Sequence, residues 1–256
     1  MTKKIIVNIM ILILNPFSVD LVSGSRIARA ESIKNNQTAN TTNKISGLTK
    51  RTMTAKAYKT LDKKNMIYTE SHHAYFKNGQ IYQSENLYYD LSGKKFAELI
   101  SDYSKNKSLP TYIFKDHRTK YQEGLRVSDG RYVIFHKEQG ESEKTEVLTN
   151  TKNIFSGQGW HYYLKSNLKK LENQSLSMRL LFPSRLDDYE FRIRILDQTS
   201  DTIKLRLEFS SWIIRMFAPH LDLEYQKNSG KLLSFYGPSN ISDESGDTQN
   251  VYIEYD

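Results

Sequence analysis

Residues 190–195 read EFRIRI and residues 202–209 read TIKLRLEF, and these two stretches decide the fold class. In both, apolar and charged side chains alternate without a break. This period of two gives a strand one buried face and one wet face, which is typical of antiparallel sheets and not of buried parallel strands. The apolar residues expected to face the concave side of the sheet include Phe191, Ile193, Leu205 and Leu207.

The rest of the chain after residue 65 follows the same rhythm. Residues 66–76 and 81–90 flank Asn78-Gly79, a dipeptide that favours a two-residue hairpin turn because both positions tolerate positive φ. Asp129-Gly130 precedes another short strand, and Asn228-Ser229-Gly230 separates two more. The sequence therefore predicts about ten antiparallel strands.

Two segments carry a helical period instead. Lys95–Tyr103 places apolar side chains at positions i, i+3, i+4 and i+7, and Trp160–Leu171 carries a longer apolar stripe. Thr52–Leu61 is a weaker candidate for a third helix. Because two or three short helices cannot cover ten flat strands, we predict a mainly β (α+β) fold. It is a strongly curved antiparallel sheet, a half or open barrel, with the helices as plug or lid.

The N-terminal segment has the pattern of an export signal. Lys3 and Lys4 precede the apolar run Ile5–Leu14, and Ala28-Arg29-Ala30 offers small residues for cleavage. The run is too short to span a bilayer as a helix. We therefore predict a signal peptide at residues 1–30, with an uncleaved N-terminal anchor as the alternative. Residues 31–50 are predicted to be a disordered polar leader, and residues 51–256 a single domain.

The composition limits the cellular compartments and the kinds of binding partner that are possible. Cysteine is absent, which excludes disulfides, thiolate metal sites and the lipid-bearing cysteine of a bacterial lipoprotein. The formal net charge is +8, and loss of residues 1–30 with their four basic and one acidic residues leaves +5. This excess alternates with acidic residues and predicts no nucleic-acid partner. The mature protein is expected to be periplasmic or secreted, without a transmembrane span.

Three strings resemble an uncharacterised group of exported bacterial proteins, which itself resembles the lipoprotein-localisation (LolA/LolB-like) half-barrel superfamily. They are residues 116–125 (DHRTKYQEGL), 216–225 (MFAPHLDLEY) and 236–241 (YGPSNI). The resemblance covers about residues 66–256. It implies a half-barrel with a helical lid and a carrier-like role, and it transfers no functional residue.

Most chemically reactive clusters have a structural explanation. His72-His73 point to opposite faces of a strand and cannot chelate together. His220, Asp222 and Glu224 share one strand face but lack a fourth ligand, and Asp187-Asp188 suits a turn. Ser156-Gly157-Gln158-Gly159 suits a helix entry, since the lysine of a phosphate-binding loop is missing. The group richest in reactive side chains is Asp116, His117 and Arg118 with Glu123. Arg118 could close a lid or hold an anionic head group, and a salt-bridged turn is the alternative. We predict no enzyme, no catalytic residues, no cofactor and no metal.

The predicted function is to bind or carry a lipid-like amphipathic ligand in a concave apolar cavity. Arg118 would hold an anionic head group, because a guanidinium offers two parallel donors to phosphate or carboxylate. Trp160 would sit near the mouth, and the apolar chains would lie on the inner faces of the strands. The alternative is a non-enzymatic envelope scaffold with an envelope-protein partner, its barrel filled by its own 17 Tyr and 11 Phe. The predicted ligand-binding residues are Arg118, Trp160, Phe191, Ile193, Leu205 and Leu207.

Overall fold

The computed structural model describes residues 44–45, 48–171 and 174–256, and these residues form one sheet of sixteen strands. Two α-helices and one 3₁₀ turn interrupt the strands. The strands are β1 (Lys44–Ile45), β2 (Leu48–Tyr58), β3 (Met66–Lys77), β4 (Gln80–Tyr89), β5 (Lys95–Asp102), β6 (Thr111–Asp116), β7 (Tyr121–Ser128), β8 (Arg131–Lys137), β9 (Lys144–Val147), β10 (Ile154–Phe155), β11 (Leu176–Phe182), β12 (Asp187–Gln198), β13 (Thr202–Phe209), β14 (Leu221–Gln226), β15 (Leu232–Pro238) and β16 (Asn250–Tyr255). The helices are α1 (Gly159–Leu171) and α2 (Trp212–Arg215), and the 3₁₀ turn is Pro183–Arg185.

Fifteen strands follow one hydrogen-bonded path, and the short β1 pairs with β2 beside it. The path runs from β10 through β16 and continues with β2 through β9. All neighbours are antiparallel except β10 and β11, which are parallel. The pairing of β16 with β2 joins the C-terminal half of the sheet to the N-terminal half, with Tyr255 opposite Ala55.

The sheet curls far enough to be barrel-like but does not close. The 3₁₀ turn after β11 packs against β7 and β8, which lie near the opposite edge of the sheet. Within the described residues the edge strands β9 and β10 are not paired with each other. The predicted curved antiparallel sheet is thus present, with more strands than the ten expected.

The period-two stretches behave as predicted. Phe191, Ile193, Leu205 and Leu207 are all fully buried, and the charged residues between them lie on the outer face. Both two-residue hairpin turns adopt positive φ, at Asn78-Gly79 and at Asp129-Gly130.

Two of the helix predictions are wrong and one is confirmed. Lys95–Tyr103 is not a helix, because its residues 95–102 form β5 between β4 and β6. Thr52–Leu61 is not a helix either, since residues 48–58 form β2. The helix at Trp160–Leu171 is present as α1. Residues 44–45 and 48–50, predicted to be part of the disordered leader, lie in β1 and β2, whereas the predicted signal at 1–30 lies outside the described residues.

The barrel has two distinct ends, because successive antiparallel strands place every second connection on the same side. We call mouth end the one formed by residues 59–65, 90–94, 117–120, 138–143, 183–186, 210–220 and 239–249. The registers support this grouping, with Asp222 opposite Tyr236, Pro238 opposite Asn250, and Ala97 opposite Asp116.

The opposite end, called the helix end, is filled by α1. The Gln158 side-chain oxygen, just before the helix, accepts hydrogen bonds from the Ser84 hydroxyl at 2.9 Å and the Tyr103 hydroxyl at 3.1 Å. His161 Nδ1 lies 3.0 Å from the Tyr225 hydroxyl, and the two rings stack. The helix therefore bridges β4 and β14 and acts as a plug.

Candidate functional site at the barrel mouth

A cavity of about 420 Å³ opens at the mouth end, and we call it the inner cavity. It lies where the 3₁₀ turn meets β6 and β7, beneath the connection between β15 and β16. Its wall combines the aromatic rings of Phe114 and Tyr121 with the polar side chains of Asp116, Arg185 and Asn240. This mixture of one apolar surface and several polar groups is typical of small-molecule sites.

A second cavity of about 360 Å³, the outer cavity, adjoins the first on the outer side of β6 and β7. The two share four lining residues, Asp116, Tyr121, Glu138 and Gln139. Three lysines also line the outer cavity, Lys115, Lys120 and Lys137. They make this side of the mouth more basic than the inner cavity.

Residues 239–249 lie across the mouth as a cover. The Ser239 hydroxyl lies 3.0 Å from the Tyr68 hydroxyl, and Asn240 Nδ2 donates to the Tyr88 hydroxyl at 3.2 Å. Ile241 is buried, and its carbonyl accepts a hydrogen bond from Gln249 Nε2 at 3.2 Å. These contacts fold the segment inward, so that the roof of the inner cavity comes from residues far from its walls in sequence.

Arg118 anchors this cover. Its Nη2 donates to Asp116 Oδ2 at 2.6 Å and to the Ser242 carbonyl at 3.1 Å, and its Nε donates to Asp116 Oδ1 at 3.1 Å. The guanidinium also stacks on the Phe96 ring, 4.2 Å from its centroid. Arg118 therefore lies at the mouth end, where its guanidinium is already occupied by Asp116, the Ser242 carbonyl and the Phe96 ring.

Beneath Tyr121 lies a fully buried carboxyl group, Glu123. The Tyr121 hydroxyl donates to Glu123 Oε2 at 2.7 Å. Burial raises the pKa of Glu123 to about 7, against smaller opposing effects of the Tyr121 hydrogen bond and the Ser184 backbone N–H. The carboxyl group is thus poised to change its charge near neutrality, directly under the inner cavity.

The six predicted ligand-binding residues do not come together at this site. Four of them face the interior but line neither the inner nor the outer cavity, namely Phe191, Ile193, Leu205 and Leu207. The Phe191 ring lies between those of Phe182 and Phe209, at centroid distances of 5.8 and 4.3 Å. Trp160 lies in the first turn of α1 at the helix end and is fully buried, whereas the prediction placed its indole near the mouth. Only Arg118 lies at the mouth.

The other reactive clusters are explained by local pairing. His72 points inward, where its Nε2 lies 2.6 Å from Glu70 Oε2, and His73 points the other way. Asp222 accepts two hydrogen bonds from Arg206, each at 2.7 Å, and lies 3.6 Å from His220 Nε2. Across the described part of the chain, no three His, Asp or Glu side chains converge as a metal site.

Sequence reasoning missed the residues supplied by the 3₁₀ turn and by the cover. Pro183 marks the turn, and the string 236–241 marks the start of the cover, but neither pattern says which strand it meets. The buried Glu70–His72 pair was also missed, although the alternation of β3 places both on the inner face with Tyr68.

Comparisons with known proteins show little. No family model matches the chain, and no curated protein matches it. Among solved structures the chain is similar to the crystal structure of a beta-barrel-like protein of domain of unknown function DUF1849 from Brucella abortus, with 8% identity and a TM-score of 0.39. The match covers 81% of this chain and 96% of that one. Likeness at this level carries nothing about function, and the resemblance to the lipoprotein-localisation carriers remains a prediction.

Neither α1 nor any other helix in the described residues has the length and apolar character needed to cross a bilayer.

Proposed function

We propose that the protein is an exported binding or carrier protein that takes an amphipathic, lipid-like molecule at the barrel mouth. The observation that carries the proposal is the adjacency of the two cavities, one walled partly by aromatic rings and the other by lysines. The apolar part of the ligand would lie against Phe114 and Tyr121. Its anionic head group would lie among the three lysines of the outer cavity.

The location differs from the concave interior that the sequence favoured. The interior between the sheet and α1 is packed with large buried side chains, among them Trp160, Phe191 and Tyr225. The inner cavity, at about 420 Å³, falls in the lower part of the range for small-molecule pockets. A single acyl chain or a compact ring system fits that scale better than a phospholipid with two long chains. In this proposal Arg118 holds the cover in place rather than holding the head group.

A titration with an environment-sensitive fluorescent fatty acid tests the proposal, using the chain from Glu31 onward. All described strands and helices lie within that chain. Thr119 lines the inner cavity, so Thr119→Phe should fill it and weaken binding by at least about tenfold, or ~1.4 kcal/mol. Thr145→Phe adds the same ring at an exposed position on β9 and serves as the matched control.

The head-group assignment needs a separate comparison. Lys120→Gln combined with Lys137→Gln should weaken the fatty acid but leave the corresponding fatty alcohol unaffected, because only the acid carries a charge. Lys56→Gln on the outer face of β2 is the control. Equal effects on acid and alcohol would contradict the assignment.

A second candidate function is an envelope scaffold that acts through its outer surface. The tightly filled interior favours it, because aromatic residues and α1 occupy the space that a carrier of large ligands would need. The same titration separates the two. Absence of saturable binding at tens of micromolar would leave the scaffold as the better explanation. Export itself is tested by N-terminal sequencing of the secreted form, which should begin at or near Glu31.

A further inference from the structure

Exposed apolar side chains concentrate at one end of the barrel. Among the described residues, six large hydrophobic side chains are more than half exposed, with values from 55% to 64%. All six lie in three connections of the mouth end, and none lies at the helix end. They are Leu61, Leu91, Trp212, Ile213, Met216 and Phe217. We call these six residues the apolar rim.

The connection that carries four of them is firmly held. Ile214, between the exposed residues, and Ala218, directly after them, pack against the core. The Ser211 side chain caps α2 by accepting a hydrogen bond from the Ile214 backbone N–H at 3.5 Å. Arg215 Nη1 donates to the carbonyls of Phe209 at 2.7 Å and of Ser210 at 3.0 Å. The exposed rings of Trp212 and Phe217 therefore belong to a segment that these contacts hold against the barrel.

Charge separates the rim-bearing connections from their neighbours. Residues 59–65, 90–94 and 210–220 together carry five basic and two acidic residues. Residues 117–120, 138–143, 183–186 and 239–249, which carry none of the rim, contain three basic and six acidic residues. Part of the basic excess is already paired, since Lys63 contacts Glu254 on β16 at 2.6 Å. The rim-bearing connections thus have a modest excess of basic residues of their own, while the cover between two of them adds Asp243, Glu244 and Asp247. Apolar contacts must therefore supply most of any binding.

We propose that the apolar rim docks the mouth end onto the surface of an anionic phospholipid bilayer. Trp and Phe favour the boundary between head groups and acyl chains, and neighbouring Lys and Arg are attracted to anionic lipids. Docking in this way inserts the side chains without any spanning segment. It also brings the inner cavity to the membrane surface, from which an amphipathic molecule could enter it.

A bilayer fits the rim better than a protein partner does. The six side chains come from three separate connections, with the inward-folded cover between two of them, and they do not form one continuous groove. A specific protein interface needs a continuous, shape-complementary surface of about 800 Å² on each partner. A fluid bilayer adapts its shape to separate side chains, so it needs no such complementarity.

Vesicle binding tests this proposal, again with the chain from Glu31, because residues 5–14 are apolar enough to bind lipid on their own account. The probe is vesicles of phosphatidylglycerol and phosphatidylethanolamine, without added ligand, so the outcome is independent of the proposed cavity function. The protein has two tryptophans, and Trp160 is fully buried whereas Trp212 is exposed. Binding should therefore shift Trp212 emission to shorter wavelength and protect it from an aqueous quencher.

Paired variants identify the surface involved. Trp212→Ser combined with Phe217→Ser should reduce the apparent vesicle affinity at least tenfold, measured by co-sedimentation. Val127→Ser combined with Leu196→Ser alters two partly exposed residues, each 37% exposed, at the helix end and should change affinity less than twofold. Vesicles of phosphatidylcholine should bind more weakly than the anionic vesicles.

Three results would overturn the proposal. One is no vesicle binding by the wild type. Another is an equal loss of affinity in both variant pairs. The third is vesicle-free self-association that Trp212→Ser with Phe217→Ser abolishes, together with no binding to vesicles. That last result would identify the apolar rim as an interface between copies of this chain.

Discussion

Replacing Glu123 with Gln should reveal a pH-dependent loss of stability that the buried carboxyl imposes on the wild type. The carboxyl is fully buried, and its pKa is raised to about 7 in the folded protein, from an ordinary value near 4.5. Between these two values the folded protein holds a proton that the unfolded chain has released. The contribution of Glu123 to stability is therefore fully present below pH 4.5 and is lost as the pH rises to about 7.

The size of the effect follows from the shift. A difference of 2.5 units between the folded and unfolded states corresponds to roughly 3 kcal/mol, or about 1.4 kcal/mol for each pH unit in that window. Gln has the same shape and can still accept the Tyr121 hydrogen bond, but it does not titrate.

Urea denaturation of the wild type and Glu123→Gln, repeated from pH 4.5 to pH 8, measures the difference in unfolding free energy between them. The difference should move in favour of the variant by about 3 kcal/mol across the series and then level off above pH 7. A pH-independent difference in unfolding free energy between the two proteins does not affect this test, because only the change of that difference with pH is diagnostic. Glu146→Gln removes an exposed carboxylate on β9 and should give a flat difference. A flat difference for Glu123→Gln as well would refute the reasoning.

Three further predictions follow from buried positions. Burial lowers the pKa of His161 to about 3. As the pH falls below 6.5, the wild type should therefore lose unfolding free energy relative to His161→Phe, by about 1.4 kcal/mol per pH unit in the same urea series. Leu205→Asp should cost several kcal/mol, whereas Lys204→Asp on the wet face, opposite Glu224, should cost less than about 1 kcal/mol; equal urea midpoints would contradict the face assignment. Gly124→Ala should lower stability by about 1–3 kcal/mol in thermal melts, because its new Cβ would lie 2.1 Å from a β6 carbonyl oxygen.

The opposite signs of the Glu123 and His161 effects carry a combined consequence. Between about pH 4.5 and 6.5 one contribution falls as the pH rises while the other grows, so the two largely cancel in the wild type. Each single replacement then exposes the slope of the group that remains. A wild type whose stability changes more steeply over this range than that of either variant would contradict both assignments.

The sequence predicted the fold correctly where the period-two pattern of a strand had no competing helical pattern. In β12 and β13 the residues alternate strictly, and only an antiparallel strand with one buried face satisfies that pattern. The segment 95–103 was misread because Phe96, Leu99 and Ile100 fit a helical stripe as well. In the structure an irregularity in the pairing of β4 with β5, beside Tyr88, leaves both Phe96 and Ala97 buried, so the alternation is broken locally. A bulge of this kind depends on the neighbouring strand and leaves no trace in its own period.

The candidate site was predictable only in part, for a related reason. Asp116, Arg118 and Glu123 stood out because charged groups clustered next to a turn. Their roles depend on groups far away in sequence, namely the Ser242 carbonyl for Arg118 and the Ser184 backbone for Glu123. Closing such long loops is decided by the topology of the whole sheet, which local patterning does not specify.

Because the interior is filled, the features that could bind a ligand or a membrane occur at the mouth end. The helix end is sealed, since α1 bonds there to β4 and β14 and leaves its apolar stripe inside. Large aromatic side chains fill the space beyond α1, so a ligand or partner has access only from the outer surface or from the mouth. The mouth end is where the two cavities, a buried carboxyl with a pKa of about 7 and all six strongly exposed apolar side chains occur. If vesicle binding fails but fatty-acid binding succeeds, the mouth takes its ligand from solution. If vesicle binding alone succeeds, the filled barrel acts as a membrane-surface scaffold.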